Sequence, residues 1–435
     1  FNSIPVKKMN NLHLMKSSKW TMLFAAVLIV MSMASCRSSN KAQNGQKEYS
    51  ETTQQLIDMV ESDPQLKALL TKSIAEAAKI NPDTVTNPAQ TLEQYYDFVE
   101  WSVKAMPWSV VKTKAGSSLY DRIDQSLDYC YFINDIPLEE LDGKGLYNNS
   151  VQYMEPYRQW LIDYAKAWGK FLSTPESWNE EYLKEVMSDE TFGLTKGWYE
   201  SPENWHSFND FFCRYLASPD QRPIASPDDD SVIASPADSE TQGVWNIDAN
   251  SDIVQKEGVA IKSRKFNSIK ELLGPNSKYK DAFAEGTLTH SFLDVNDYHR
   301  YHFPVSGKIV ELEIIPGDDA AGGITTWDPF LNRYILDCET PGWQMIETRG
   351  LVVVETENNG LVALLPIGMS QVSSVNFEKN LKVGETVKKG DMLGYFLFGG
   401  SDFVILFQKG FTYTPSKETL THVLMGEEIG RLVKK

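Results

Sequence analysis

The chain has 435 residues, of which 42% are hydrophobic and 23% are charged, a composition typical of a globular protein that could hold two or three domains. Its formal net charge of −17 argues against a nucleic-acid-binding protein, because phosphate binding needs clustered Lys and Arg side chains. The same negative charge disfavours a purely electrostatic attachment to anionic lipid.

The N-terminal segment has the features of a secretion signal. Met22–Ala34 is an apolar run that is too short for the roughly 20 residues of a membrane-spanning helix but suits the core of a signal peptide. It ends in Ser35-Cys36 and resembles a bacterial lipoprotein signal, in which Cys36 is lipidated; an ordinary signal peptide with an incidental cysteine is the alternative. Residues 1–36 therefore predict a membrane-anchored bacterial lipoprotein on the periplasmic or outer-membrane side. Four lysines precede the apolar run: Lys7, Lys8, Lys16 and Lys19.

The region after the signal is predicted to be helical. Residues 37–50 are small and polar and are interpreted as a linker, and residues 51–204 are predicted to form an α-helical domain. Apolar residues recur at helical spacing from Thr53 to Lys79, with a break at Asp63-Pro64. Two further helices are predicted near Leu92–Val103 and over the aromatic-rich segment Tyr153–Leu172.

Residues 205–435 show a different pattern, with short β-type runs separated by turns that contain Gly, Pro and Asn. They are predicted to form a mostly antiparallel β domain, so the expected fold class is α+β. Val383–Gly394 resembles the turns of lipoyl-type barrels, but it lacks the attachment lysine, which disfavours a carrier function. The clearest strands are Lys308–Ile315, Gly350–Glu355, Leu361–Pro366 and Phe403–Phe407.

The cysteines that follow Cys36 do not suggest a metal site or a disulfide framework. Cys130, Cys213 and Cys338 are far apart and lack the close spacing of zinc ligands, so unreactive thiols are expected. Two of the chain's six histidines, His299 and His302, lie three residues apart, but no further ligands can be assigned to them.

Three short segments carry candidate chemistry. Gly399-Gly400-Ser401 lies between two apolar runs, where glycine gives the backbone freedom and the Ser401 hydroxyl could reach the Gly400 carbonyl; alone, it is more often an ordinary turn. His299 and His302 suit proton transfer near neutral pH, although one surface and one core histidine would give the same pattern. Asp238 follows a proline-led turn and could orient a histidine, but such turns are common at surfaces.

Together and in this order, these segments resemble the phosphatidylserine decarboxylase family. The resemblance runs from about Phe208 to the C-terminus, and the DYHRYHFP sequence of residues 297–304 is its most specific part. Two positions depart from the family pattern: Ser239 replaces Gly, and Asp402 replaces the Thr that follows the cleaved serine. Other matching segments are 209–214, 222–224, 235–238, 316–318, 332–333, 367–375 and 394–396 with 400–401.

The resemblance implies a pyruvoyl-dependent decarboxylase that cuts its own chain between Gly400 and Ser401. Asp238, His302 and Ser401 would form the self-cleaving triad, in which Asp238 holds His302 and His302 takes the serine proton. Ser401 would become a pyruvoyl group at the start of a small subunit, so neither pyridoxal phosphate nor a metal is expected. His299 is expected at the substrate, and Asp402 would place a carboxylate beside the ketone. A homodimer of the cleaved chains is a further expectation.

The expected substrate is phosphatidylserine, which gives phosphatidylethanolamine and CO₂ and suits an enzyme anchored to a membrane. Residues 50–200 loosely resemble the N-terminal extension of relatives that decarboxylate free amino acids such as tryptophan, which is the alternative. Aromatic segments such as Tyr164–Phe171 carry that similarity. A second alternative is a non-catalytic lipoprotein that uses its β domain for binding, although Asp238, His299, His302 and Ser401 together argue against it.

Overall fold

The computed structural model describes residues 47–106, 129, 132–144, 149–254, 268–317, 324–337, 346–369 and 374–435. Residues 49–435 form one compact unit. The predicted signal, with Cys36, lies outside the described residues, and so do Cys130, Cys338 and parts of two matching segments, residues 318 and 370–373. Helices precede a mostly antiparallel β region, which confirms the predicted α+β class.

The first helices begin and end within two residues of the predicted positions. Asp63 separates α1 from α2, and its carboxylate accepts hydrogen bonds from the Gln65 and Leu66 backbone N–H groups at 2.9 and 3.1 Å. Pro64 stands at the first position of α2, where its missing N–H costs no helical hydrogen bond. The α-helices described in full are α1 (Glu51–Ser62), α2 (Pro64–Ile80), α3 (Leu92–Ser102), α4 (Tyr157–Leu172), α5 (Glu180–Ser188), α6 (Phe208–Phe212) and α7 (Ile269–Leu272).

Every strand pair in the described part of the chain is antiparallel. Among the described residues, the largest sheet has eight strands in the order β11-β5-β8-β9-β13-β3-β2-β15, and three smaller sheets have the orders β1-β16-β14, β10-β12-β4 and β6-β7. The strands are β1 (Val232–Ala234), β2 (Ser239–Asn246), β3 (Thr287–Leu293), β4 (Arg300–His302), β5 (Gly307–Ile315), β6 (Ile324–Asp328), β7 (Arg333–Asp337), β8 (Thr348–Glu355), β9 (Leu361–Met369), β10 (Ser374–Phe377), β11 (Thr386–Val387), β12 (Met392–Leu397), β13 (Gly400–Phe407), β14 (Phe411–Pro415), β15 (His422–Val423) and β16 (Glu428–Lys434).

The central strands of the eight-stranded sheet are buried on both faces. Successive side chains of a strand point to opposite faces, so β13 supplies Phe403 and Ile405 to one core and Val404 and Leu406 to another. The first core also contains the buried apolar side chains of helices α1–α6, whereas the second, which includes those of α7, covers the other face of the sheet. Burial on both faces explains why these strands are nearly continuous apolar runs in the sequence.

The helical and β regions share the first core. The Trp168 ring of α4 packs edge-on against Phe398, with ring centroids 5.9 Å apart, in the bend that leads into β13. At another contact, Asn81 after α2 donates a hydrogen bond to the Tyr334 hydroxyl of β7 at 3.0 Å. Among the described helices, none is both long and apolar enough to span a membrane.

Candidate active site

Ser401 lies inside the protein at the start of a central strand. It is the second residue of β13, opposite Gly368 of β9 and Leu293 of β3, and it is fully buried. Its hydroxyl oxygen has no hydrogen-bond partner in the described part of the chain, so neither His302 nor His299 is bonded to it. A buried hydroxyl without a partner is costly, which makes this oxygen a candidate for a chemical role rather than a structural one.

The bend before Ser401 is held by α6. Asn209 accepts a hydrogen bond from the Phe398 backbone N–H at 2.9 Å, and the Phe398 ring packs against Phe208 and Phe212 with centroids 5.2 and 5.3 Å apart. Gly399 has φ +151°, a conformation that L side chains rarely adopt. The Asn209–Phe212 segment thus fixes the backbone immediately before the predicted cut, while glycine allows the sharp change of direction.

His302 is a buried, neutral imidazole. Its Nδ1 donates to the Gly390 carbonyl at 2.9 Å, so Nε2 carries the free lone pair and accepts from the Tyr298 hydroxyl at 3.2 Å. Burial lowers the pKa of His302 to about 4, although the Gly390 carbonyl and the nearby Asp238 carboxylate act in the opposite direction. The residue therefore has the protonation state and the tautomer that a general base needs at neutral pH.

Asp238 does not bond to His302 as the resemblance implies. Its carboxylate accepts from Arg222 Nε at 2.9 Å and Nη2 at 2.6 Å, and from the Met425 backbone N–H at 2.7 Å. The physical reason is that Arg222 is itself fully buried, and a buried guanidinium needs a carboxylate partner. Asp238 is still close to His302, because the His302 backbone N–H donates to Pro236 at 2.8 Å and the carboxylate raises the pKa of His302.

The buried Arg222–Asp238 pair gives a stability prediction. Asp238→Ala should cost about 3–5 kcal/mol, because it leaves the guanidinium charge buried without a partner, whereas Arg222→Leu/Asp238→Ala should recover most of that loss. Urea unfolding of both variants in a Ser401→Ala background, which removes any effect of cleavage, measures the difference. Equal stability of the single and double variants would contradict this account of the pair.

His299 immediately precedes β4, the strand that contains His302, and is also fully buried. Its ring stacks on Phe212 with centroids 3.7 Å apart, and Nδ1 donates to the Asp297 carbonyl at 3.0 Å. Nε2 has no hydrogen-bond partner among the described residues. Burial, together with the positive charge of Arg214, keeps the pKa of His299 well below its usual range, so its Nε2 is unprotonated at neutral pH.

A cavity of about 650 Å³ opens between the segment after α4, α6 and strands β10 and β12. Its wall contains two cations, Arg300 and Lys379, and two acids, Asp210 and Glu378, and Leu397 brings it next to the bend before Ser401. Arg300 is held in place between the rings of Tyr215 and Tyr395, 3.3 and 4.9 Å from their centroids. The sequence pattern did not identify this cavity, because the residues that form its wall are spread through the sequence from about residue 170 to residue 400.

The two departures from the family pattern have different surroundings. Ser239 begins β2, where its hydroxyl donates to the Ala237 carbonyl at 3.4 Å. Asp402 is fully buried and bonds to His290 on the face of the sheet opposite to Ser401. The expectation that its carboxylate stands beside the future ketone is therefore wrong, because consecutive strand residues point in opposite directions. In the described part of the chain, no group of three or more His, Cys, Asp or Glu side chains could hold a metal ion.

Comparison with known proteins identifies the class and then the family. A sequence model described as phosphatidylserine decarboxylase matches residues 208–431. The chain is similar to decarboxylase iboD of Amanita muscaria, with 30% identity over 70% of this chain and 90% of that protein. It is also similar to a phosphatidylserine decarboxylase proenzyme of Fusobacterium nucleatum, with 30% identity over 68% and 94%, and to the L-tryptophan decarboxylase of Psilocybe cubensis, with 29% identity over 56% and 60%.

These matches establish that the protein is a decarboxylase, an enzyme of the carboxy-lyase class. More specifically, the chain belongs to the phosphatidylserine decarboxylase family, as its motifs indicate. The matches to the Amanita and Fusobacterium proteins are longer than the segment that follows residue 207, so they extend into the helical region. That region is therefore shared with a relative named for phosphatidylserine and does not by itself separate lipid from amino-acid substrates.

Proposed function

We propose that the protein converts phosphatidylserine to phosphatidylethanolamine and CO₂ with a pyruvoyl group made from Ser401. The observation that carries the proposal is the buried Ser401 hydroxyl, which has no hydrogen-bond partner among the described residues and follows two glycines in a member of this family. A hydroxyl in this position is free to attack the carbonyl carbon of Gly400. Because Gly400 has no Cβ, no side chain blocks the approach.

Self-cleavage would proceed in three steps. Ser401 Oγ forms a bond to the Gly400 carbonyl carbon while His302 Nε2 takes the hydroxyl proton. His302 then returns this proton to the Ser401 nitrogen as the C–N bond breaks, which leaves an ester and a free amine. Loss of the Ser401 Cα proton then expels the Gly400 carboxylate and leaves a double bond in residue 401. A proton then moves from the nitrogen of this enamine to its terminal carbon, which gives an imine. One water hydrolyses the imine, so ammonia leaves and the pyruvoyl group begins a small subunit of residues 401–435, with the preceding residues as the large subunit.

Asp238 supports the base without touching it. When His302 takes the serine proton it becomes cationic in a buried environment, which is costly unless a negative charge is near. The Asp238 carboxylate, held by Arg222 and by the Met425 backbone, is a fixed negative charge that raises the pKa of His302. Tyr298 currently donates to His302 Nε2, so the Ser401 hydroxyl must replace that hydrogen bond before attack.

Decarboxylation needs an electron-withdrawing carbonyl next to the substrate amine, and the pyruvoyl group supplies it. His299 Nε2 has a free lone pair and takes a proton from the substrate ammonium, then returns it to the carbon that loses CO₂. The 650 Å³ cavity is where we place the substrate headgroup. Arg300 and Lys379 offer positive charge to its phosphate and carboxylate, and Asp210 and Glu378 can attract its ammonium.

The signal-like N-terminus favours a membrane-anchored enzyme. We propose that Cys36 carries a lipid anchor that keeps this bacterial lipoprotein at the periplasmic or outer-membrane side, next to a bilayer substrate. Association of cleaved chains into a homodimer is a further prediction. Mass analysis of the mature N-terminus tests the lipid anchor on Cys36. The solution mass of the cleaved protein tests the homodimer.

A second substrate class is favoured by one specific observation. The match to the Psilocybe L-tryptophan decarboxylase covers 56% of this chain, so a free aromatic amino acid is the alternative substrate. A non-catalytic binding module has no such support, since the chain belongs to a family of decarboxylases.

The experiment that tests the proposal has two arms. Purified protein is given phosphatidylserine vesicles in one arm and tryptophan, tyrosine or phenylalanine in the other, and CO₂ release is measured. Release from vesicles alone supports the phosphatidylserine assignment, and release from a free amino acid alone replaces it with the alternative. A denaturing gel and intact mass before and after borohydride treatment test the ketone separately, and a single uncut chain without CO₂ release would refute both.

A further inference from the structure

A buried His–Asp pair lies directly behind Ser401, and the proposed chemistry does not use it. His290 of β3 and Asp402 of β13 are 2% and 0% exposed, and His290 Nε2 bonds to the Asp402 carboxylate. The two strands pair in the register that places Val404 opposite His290, so Asp402 is its diagonal neighbour on the same face. Trp245 covers the pair from β2, with its ring centroid 6.3 Å from that of His290.

The pair faces the second core and cannot reach the reacting atoms. Val404 and Leu406 share its face of β13 and belong to that core, whereas Phe403 and Ile405 share the face of Ser401. Directly opposite Asp402 on β9 stands Ile367, which also belongs to the second core. These described neighbours are apolar, and a carboxylate beside them needs a hydrogen-bonding partner.

We propose that the His290–Asp402 pair positions the pyruvoyl group by holding the first residues of the small subunit in the sheet after cleavage. The inference rests on the proposed function. Before the cut, Ser401 is held covalently on both sides, and the preceding bend is tied down by Asn209 and the Phe398 ring. After the cut, residue 401 is a free strand end, and strand ends fray because they lose neighbouring hydrogen bonds.

In the small subunit, residue 402 is the first residue after the pyruvoyl group, and its side chain can hold the strand to a neighbouring strand. Backbone bonds to β3 and β9 hold the strand in its plane, and the bond from His290 adds a contact that resists slipping or fraying. A displacement of about 1 Å at a reacting group can cost about 100-fold in rate. His290 and Asp402 are therefore positioning residues. Their loss affects the decarboxylation rate of the cleaved enzyme more than the rate of self-cleavage.

The test compares variants that break the pair with variants that keep it. Asp402→Val, His290→Leu and the double variant remove the hydrogen bond, whereas Asp402→Asn and His290→Gln retain an acceptor or a donor. Ile367→Ala is the matched control, because it removes packing directly beside Asp402 but keeps both partners of the His290–Asp402 hydrogen bond. The double variant removes both partners of the His290–Asp402 hydrogen bond together, so it keeps the test valid if a single breaking variant does not fold.

Two measurements are made on cleaved protein, with the ketone per chain counted by intact mass after borohydride treatment. The first is kcat and KM per ketone on phosphatidylserine vesicles, or on whichever amino acid the parent turns over. The second is amide hydrogen exchange of the segment 401–407, which reports the order of the strand end without any substrate. The rate of self-cleavage is recorded for every variant.

We expect the breaking variants to lose at least about tenfold in kcat per ketone with unchanged KM and to exchange faster at residues 401–407. Single and double breaking variants should lose similar amounts, because they break one shared bond. Cleavage should slow by less than about threefold, and Asp402→Asn, His290→Gln and Ile367→Ala should stay near the parent. Parent-like kcat and exchange in the breaking variants, or equal losses in Ile367→Ala, would overturn the inference while leaving the proposed function intact. Absence of the ketone from the unmodified protein would overturn both this inference and the proposed function.

Discussion

Ser401→Ala protein should remain a single chain and release no CO₂ from any substrate. The alanine has no oxygen to attack the Gly400 carbonyl, so neither the ester nor the pyruvoyl group can form. The fold should survive, because the Ser401 hydroxyl makes no hydrogen bond within the described residues and is enclosed by the first core. A denaturing gel and an intact-mass measurement show whether the chain has been cut. CO₂ release should fall to the background of the assay.

The matched control for this prediction is Ser416→Ala, an exposed serine in the same C-terminal segment whose hydroxyl bonds to Glu428. It should cleave and decarboxylate like the parent. Ser401→Cys keeps a nucleophile and should show partial cleavage. If Ser401→Ala produced the fragment of residues 401–435 and released CO₂ like the parent, a different residue would have to supply both the nucleophile and the ketone.

The helices and many strands could be predicted from local pattern. The Asp63-Pro64 break appears as the boundary between α1 and α2, because an N-cap carboxylate and a proline at the first helical position are local signals. The aromatic segment ending at Leu172 is α4, although the helix begins at Tyr157 rather than Tyr153. Buried strands such as β9 and β13 extend the predicted apolar runs at one or both ends, because pairing with neighbouring strands continues beyond the apolar residues.

The partners of the site residues could not be predicted in the same way. Asp238 is bonded to Arg222, sixteen residues earlier, and Asp402 to His290, more than a hundred residues earlier. Such pairs depend on strand order and register, which place distant segments side by side, and no local spacing records them. The orientation of Asp402 was in principle predictable, since a residue next to Ser401 in a strand must point to the opposite face.

The position of the helical region is a further feature that only the structure reveals. Trp168 contacts Phe398, and Ser173 and Pro175 form part of the wall of the 650 Å³ cavity. The helical region therefore supports the bend before Ser401 and helps to shape the proposed headgroup site, rather than standing apart from it. This arrangement explains why similarity to relatives continues upstream of the family match.

His302→Gln should slow self-cleavage by about 100-fold or more at neutral pH. Its amide cannot take the Ser401 proton, and a positioned general base contributes about 10²–10⁴-fold. Cleavage by the parent should have a characteristic pH dependence. Because burial lowers the pKa of His302 to about 4, the imidazole keeps its Nε2 lone pair at higher pH, and the rate should be nearly flat between about pH 5.5 and 8. Below about pH 4, protonation fills that lone pair and the rate should fall about tenfold per pH unit.

The rate is measured on freshly synthesised, labelled chain from cell-free translation, which is shifted to each pH and sampled on a denaturing gel. His206→Gln is the matched control, because it makes the same change at an exposed histidine, and it should cleave at the parent rate. A parent rate that falls through pH 6.5 would mean that the base has an ordinary imidazole pKa and is therefore not the buried His302 of this structure. A His302→Gln chain that cleaves as fast as the parent would remove this residue from the proposed self-cleavage altogether.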